Sequence, residues 1–204
     1  MSRTLSIPMV ALRGMTILPE MVTNFDISRD CSIEAVQEAM SHDQKVFLVT
    51  QKNISVEEPS MSDLYTVGTI ATIKQVVKLP KQIIRVMVTG ETRAQLNAVE
   101  FETPYLRANV TLLEDEAPYY LDQQSKEAMF RELQDLFIDY ASHNSKITKE
   151  NARQVQLATT LESVMNKVAA NLPLHYLELQ EILEEMDFHA RYELLSLKLV
   201  KEAQ

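Results

Sequence analysis

Ile83-Ile84-Arg85-Val86-Met87-Val88-Thr89 reads as a β-strand. Side chains alternate across a pleated strand, so Ile84, Val86 and Val88 share one face, and Ile83, Arg85, Met87 and Thr89 share the other. The first set is uniformly branched and apolar and reads as core. The second mixes a cation, a hydroxyl and a methionine, the composition of a half-wet surface.

Working outward, similar runs recur at Leu5–Leu12, Val22–Ile27, Val46–Thr50, Thr66–Leu79, Ala94–Val99 and Leu106–Leu113. Val, Ile and Thr dominate them, as residues that fit a pleated surface. All three glycines and six of the seven prolines fall in this half or just past it, at Pro118. Many short strands with such punctuation predict a small barrel or sandwich. One helix interrupts them, with Asp30 as its cap and Ile33, Val36 and Met40 on one face.

Beyond Glu114-Asp115-Glu116-Ala117-Pro118 the period changes. Met129, Leu133, Leu136, Phe137 and Tyr140 form a helical stripe. Thr148 is placed to cap a segment with Ala152 and Val155. Leu157, Leu161, Val164, Met165, Val168 and Leu172 repeat helically until Pro173 stops them. A short helix with Leu179, Ile182, Leu183 and Met186 follows, then a last one capped by Asp187 with Leu194, Leu195 and Leu197. The expected fold class is therefore α+β, a β-rich pseudo-barrel with one helix over 1–117 followed by a helical bundle over 118–204. The last helix has no stop signal before Gln204. It either frays there or belongs to a longer polypeptide.

The composition argues against several classes of function. The formal net charge is −9, spread over both halves. With no basic stripe or Arg/Lys cluster, nucleic-acid binding is not indicated. No apolar run is long enough for a membrane span, and the start lacks a signal-peptide core, so the expectation is a cytoplasmic protein. The lone Cys31 cannot form an intramolecular disulfide.

Catalytic signatures are missing too. The glycines are too scattered for a phosphate loop, and neither G-x-x-x-x-G-K-[ST] nor G-x-G-x-x-G occurs. His42, His143, His175 and His189 lack metal-site spacing. Cys31 stands in no cysteine-hydrolase signature, and there is no G-x-S-x-G elbow. The residues thus predict no catalytic, cofactor-binding or metal site in this chain.

The strand half resembles the Lon protease N-terminal, substrate-binding domain family. The resemblance rests on the order and spacing of several short pieces. Ile7-Pro8-Met9-Val10-Ala11-Leu12-Arg13 and Ile17-Leu18-Pro19 look like its first hairpin, and Phe25-Asp26-Ile27-Ser28-Arg29 like its second strand. Glu38-Ala39-Met40 matches its helix. Phe47-Leu48-Val49-Thr50-Gln51-Lys52 and Asp63-Leu64-Tyr65-Thr66-Val67-Gly68-Thr69-Ile70-Ala71 come next. Val86-Met87-Val88-Thr89-Gly90, Arg93-Ala94 and Pro104-Tyr105-Leu106-Arg107-Ala108 close the set. The helical half is similar in character through Leu172-Pro173-Leu174 and Gln180-Glu181-Ile182-Leu183-Glu184. The chain departs from the family at Ala11 and Asn24, where proline is common, and at Ser28, where glycine is. Pro80-Lys81-Gln82-Ile83 replaces a Pro-Asp-Gly-Thr turn, which predicts a longer or looser hairpin.

The resemblance implies a parent enzyme: a homohexameric ATP-dependent serine protease with an AAA+ module and a Ser–Lys dyad. ATP and Mg would belong to that parent and not to this chain. This part would capture unfolded or damaged proteins and help assemble the hexamer. Such capture calls for adaptable apolar surface, and methionine repacks readily. Leu12, Phe25 and Met87 are therefore the candidate contacts for unfolded protein, unless Phe25 and Met87 pack beneath the helical half. Two other readings share the β half: a free-standing relative without a protease, and an adaptor that recruits clients or small ligands.

Overall fold

In the computed structural model, which describes residues 3–204, the chain divides into two compact units, Met1–Glu114 and Asp115–Gln204. Together they hold a mixed six-stranded sheet and six helices, an α+β fold.

In the first unit the strands are β1 (Thr4–Leu12), β2 (Val22–Ile27), β3 (Lys45–Thr50), β4 (Val67–Leu79), β5 (Ile83–Phe101) and β6 (Arg107–Leu112), with helix α1 (Asp30–Met40) between β2 and β3. Strand β1 runs parallel to β3, and every other pairing is antiparallel. Strand β5 pairs with β4 along one edge, while β2 and then β6 share the other. Because β6 also pairs with β1, strands β1, β3, β4, β5 and β6 form a closed ring, and β2 is an added strand with a single partner. Closure removes the exposed edges of those five strands and leaves β2 with one open edge.

From Ile7 onward β1 is apolar on both faces because both are covered there. Val10 and Leu12 join one cluster with Phe25, Val86, Val88 and the Ala35, Val36 and Ala39 face of α1. Met9 and Ala11 join another with Phe47, Val49, Leu96 and Val110. Each large apolar side chain buried this way contributes about 1.5–3 kcal/mol.

Three local expectations need correction. Ile83–Thr89 and Ala94–Val99 are one continuous strand, β5. Its register against β4 skips Glu91, so Gly90 marks a bulge and not a turn. A Cβ at Gly90 would stand 2.1 Å from the Leu18 carbonyl oxygen, so only glycine fits there. Helix α1 is preceded by Arg29 and has no side-chain cap, and its buried face is Ser32, Ala35, Val36 and Ala39. Small residues let the helix lie close to the strands, which turns Met40 out to solvent. The β4–β5 hairpin has a three-residue connection, longer than a two-residue primed turn as expected, but it is not looser, since Leu79 and Ile83 remain paired around Pro80–Gln82. Lys81 and Gln82 reach this turn with φ of 66° and 62°, a left-handed backbone that glycine would adopt at lower cost.

The second unit contains α2 (Gln123–Ser142), α3 (Lys149–Gln156), α4 (Leu161–Asn171), α5 (Tyr176–Glu184) and α6 (Phe188–Glu202). The side chains of Asp122, Thr148, Thr160 and Asp187 each accept a hydrogen bond from a first-turn backbone N–H. Each such cap contributes about 1 kcal/mol. Leu133, Phe137, Val155, Val164, Val168, Leu195 and Leu199 are buried. Leu157 and Leu197, expected among the apolar stripes, are exposed. Leu157 ends α3 and is not part of α4. Leu197 lies off the Leu195–Leu199 face, the i, i+4 pair that α6 buries.

Candidate functional site

The β2–β5–β4 register builds one mixed surface. Met87 stands opposite Asn24 on one side and Gln75 on the other, and Arg85 opposite Asp26 and Val77. Thr89 stands opposite Val22 and Thr72 in the same way. Directly paired residues project to the same side of a sheet. The outer face therefore carries Val22, Val77 and Met87 among Asn24, Gln75 and the Asp26–Arg85 pair. Those three apolar side chains are 65%, 40% and 37% exposed, respectively. The opposite face of the same strands holds Phe25, Ile27, Val86 and Val88 in the core.

An ion pair fixes the centre of this face. Arg85 donates from Nε to Asp26 Oδ1 at 2.9 Å and from Nη2 to Oδ2 at 3.1 Å. The hydrogen bonds from Arg85 hold the Asp26 carboxyl below its ordinary range, and the same contact raises the guanidinium. With its charges matched, the pair leaves Met87 and Val77 as the accessible apolar groups beside it.

A cleft lies at the free edge of β2. Strands β1 and β2 do not pair with each other, and between their ends is a cavity of about 240 Å3. Ala11, Leu12, Met15, Phe25 and Ile27 are its apolar lining, with Arg13, Asp26 and Arg29 beside them. Arg29 ties the cleft together. Its Nη2 donates to the Ala11 carbonyl at 2.7 Å, and its Nη1 to Gln51 Oε1 and the Glu57 carbonyl, each at 2.9 Å. Burial, then the nearby Arg13 charge, lowers its pKa, yet a guanidinium so bonded stays cationic at neutral pH.

The three side chains expected as contacts are thus divided. Met87 is on the outer face. Leu12 and Phe25, at 4% and 8% exposure, belong to the core and reach solvent only as walls of the cleft. They do not share one patch, because Phe25 points away from Asn24 and Met87 as strand alternation requires. Sequence reasoning missed Val22, Val77, Met15 and Arg29. Alternation along β2 and β4 could have found the two valines. No sequence signal marks Met15 or Arg29, whose positions depend on which strands meet.

A larger cavity of about 570 Å3 has Glu38, His42, Asp43, Lys45, Glu91 and Arg107 in its lining, among apolar side chains such as Leu5, Ile7 and Leu112. Several of these groups are engaged with other side chains of the chain: Lys45 donates to Glu91 and Thr72, and Arg107 to Ser6 and Tyr105. Among the described residues no group of three or more His, Cys, Asp or Glu side chains could hold a metal ion. Among them, too, no helix is long and apolar enough to cross a membrane.

The family model for the ATP-dependent protease La (LON) substrate-binding domain matches residues 6–201. Lon protease of Lachnoclostridium phytofermentans is 41% identical over 201 residues, covering 98% of this chain and 25% of the relative. Lon protease of Escherichia coli K12 is 32% identical over 201 residues, with the same coverage. The chain therefore spans about a quarter of the length of the curated relatives it matches. Among solved structures, the N-terminal domain of Mycobacterium avium complex Lon protease superposes with a TM-score of 0.72 at 19% identity, covering 98% of both chains. A Lon N-terminal domain protein from Xanthomonas campestris gives 0.58 at 15% identity, over 95% of this chain and 98% of that one. At these identities the two structures speak to the fold alone.

Proposed function

The chain belongs to the ATP-dependent protease La (LON) substrate-binding domain family, and from that premise we propose that it captures unfolded or damaged polypeptides for an ATP-dependent serine protease. In this reading the chain is the N-terminal part of a longer cytoplasmic protein. ATP and Mg act in an AAA+ module and peptide bonds are cut at a Ser–Lys dyad, both outside these residues. The five helices of the second unit form the bundle that leads toward that module. The 1–117 part is the client receptor, and the whole chain contributes to a homohexamer.

The observation that carries this reading is the outer face of β2, β5 and β4. It offers Met87, Val77 and Val22 to solvent among polar neighbours. Unfolded chains expose extended, apolar-rich segments of varied sequence. A flexible methionine on a shallow face makes contact with many such segments and strong contact with none. Weak capture suits a receptor that must release its client. Six copies in a ring raise the apparent affinity through effective concentration, with no tighter single contact.

The test is binding of one client in two states. The 204-residue chain should bind a reduced, carboxymethylated and permanently unfolded protein, and should not bind the same protein in its native fold. Fluorescence anisotropy reads both, with no nucleotide present. Equal affinity for the two states, or for neither, contradicts the reading.

A further inference from the structure

Strand β2 is an open edge. It pairs with β5 alone, over six residues in unbroken register, Val22↔Thr89 through Ile27↔Ile84. The Gly90 N–H donates to the Met21 carbonyl at 2.8 Å. Hydrogen-bonded and non-bonded pairs alternate in an antiparallel ladder, so Thr23, Phe25 and Ile27 bond to β5. The peptide groups of Val22, Asn24 and Asp26 then point to the opposite edge. Among the described residues none of these three bonds to another backbone group there, and the Asn24 carbonyl accepts a long hydrogen bond, 3.5 Å, from the Thr23 hydroxyl. Natural edges are usually blunted by Lys, Pro or a bulge. Val22-Thr23-Asn24-Phe25-Asp26-Ile27 has neither Lys nor Pro, and its ladder has no bulge. Its one charge, Asp26, is already held by Arg85.

We propose that an extended, alternating-apolar segment of an unfolded client docks on this edge as an extra strand, antiparallel or parallel to β2, with one side chain in the Leu12–Phe25 cleft. The inference rests on the client-capture reading and names how capture is done. Main-chain hydrogen bonds are blind to sequence, which gives the breadth that a receptor for damaged proteins needs. The cleft beside the edge accepts one side chain of modest size against Leu12, Met15, Phe25 and Ile27. A second copy of this chain is a poorer occupant. Two-fold pairing of β2 through its outward peptide groups sets Val22 against Asp26 twice. Six residues a side are also far below the roughly 20–30 a side of a stable interface. A client chain is free to choose its sequence and register, and weak binding serves it.

The test uses a short fluorescent peptide alternating valine and serine, and two derivatives N-methylated at every valine or at every serine. N-methylation deletes backbone donors along one edge of the peptide and keeps every side chain. One derivative should lose about tenfold or more in affinity for the wild-type chain, while the other changes little. Asn24→Pro removes an outward donor from β2 and should reproduce the loss, since edge strands accept proline. If that variant does not fold, the methylated pair decides alone. Indifference to methylation in both derivatives overturns strand addition while leaving client capture standing, provided the unmodified peptide and an unfolded protein still bind. Failure of both to bind ends the capture reading itself. A concentration-dependent dimer that Asn24→Pro abolishes assigns the edge to a second copy and overturns the proposal.

Discussion

Arg85 grips Asp26 across the β2–β5 pair through two parallel hydrogen bonds, and this ion pair sits on the same face as Met87, one residue pair away. The relationship orders the face without burying it, since both charged side chains are more than two-fifths exposed. It makes β2 a fixed, chargewise neutral platform.

Acid should weaken this platform. Asp26 has a folded pKa below its ordinary value of 3.8, with the Arg85 hydrogen bond as the main cause. A lowered carboxyl contributes stability that is present above the unfolded value and is lost as pH falls through the folded one. Asp26→Asn should therefore cost stability at pH 7 and progressively less below about pH 3.8. Urea midpoints of the two proteins across this range check it, and they should converge in acid.

Substitution should separate binding from folding. Met87→Asp places a charge on an exposed face and should weaken binding of an unfolded client about fivefold, a loss of about 1 kcal/mol. Its thermal midpoint should stay within a few degrees of wild type. Phe25→Ala hollows the core cluster and should cost about 3–5 kcal/mol of stability. Calorimetry and anisotropy on the same two variants show whether the effects divide this way.

Gly90 should be intolerant of any side chain. Its absent Cβ faces the Leu18 carbonyl at 2.1 Å, with the Leu18 carbonyl carbon at 3.0 Å behind it. Gly90→Ala must shift the Leu18–Pro19 backbone, at a cost of about 1–3 kcal/mol or more. A chemical-denaturation curve reads it, and an unchanged midpoint would refute the close packing.

The helical unit should be sensitive to alkali. Burial, then the nearby Glu132 charge, pushes the Tyr192 phenol up to about 12, and its hydroxyl donates to the Met129 carbonyl at 2.8 Å. A raised phenol pKa contributes stability that is full below the unfolded value of 10.0 and is lost as pH rises from there toward 12. Tyr192→Phe should therefore lose less stability than wild type between pH 10 and 11. Helical circular dichroism against urea at each pH measures the difference.

Much of this architecture was legible from residue pattern. Alternation in Val22–Ile27 and Ile83–Thr89 placed Val86 and Val88 inside and Met87 outside, as found. Asp187 and Thr148 were legible as caps because a short oxygen side chain before a helical stripe has one obvious use. The failures have physical causes. Ile83–Thr89 and Ala94–Val99 read as two strands because glycine both breaks strands and forms bulges, and only pairing with β4 tells the two apart. The packed face of α1 was misread because Ala35 and Ala39 matter for closeness and not for bulk. The cleft was illegible, since Leu12 and Phe25 meet across a gap between two strands that never pair. Nothing local records such a gap.

Methyl NMR of the chain with 13C-labelled methionines tests the central claim most directly, since its ten methionines sample both units. On titration with a permanently unfolded protein, the Met87 methyl should shift first, with Met15 beside the cleft following. Met165, buried in the helical unit, and Met186, exposed on it, should stay in place. A static Met87 signal alongside moving Met186 and Met129 signals would contradict the account and move client capture away from the strands.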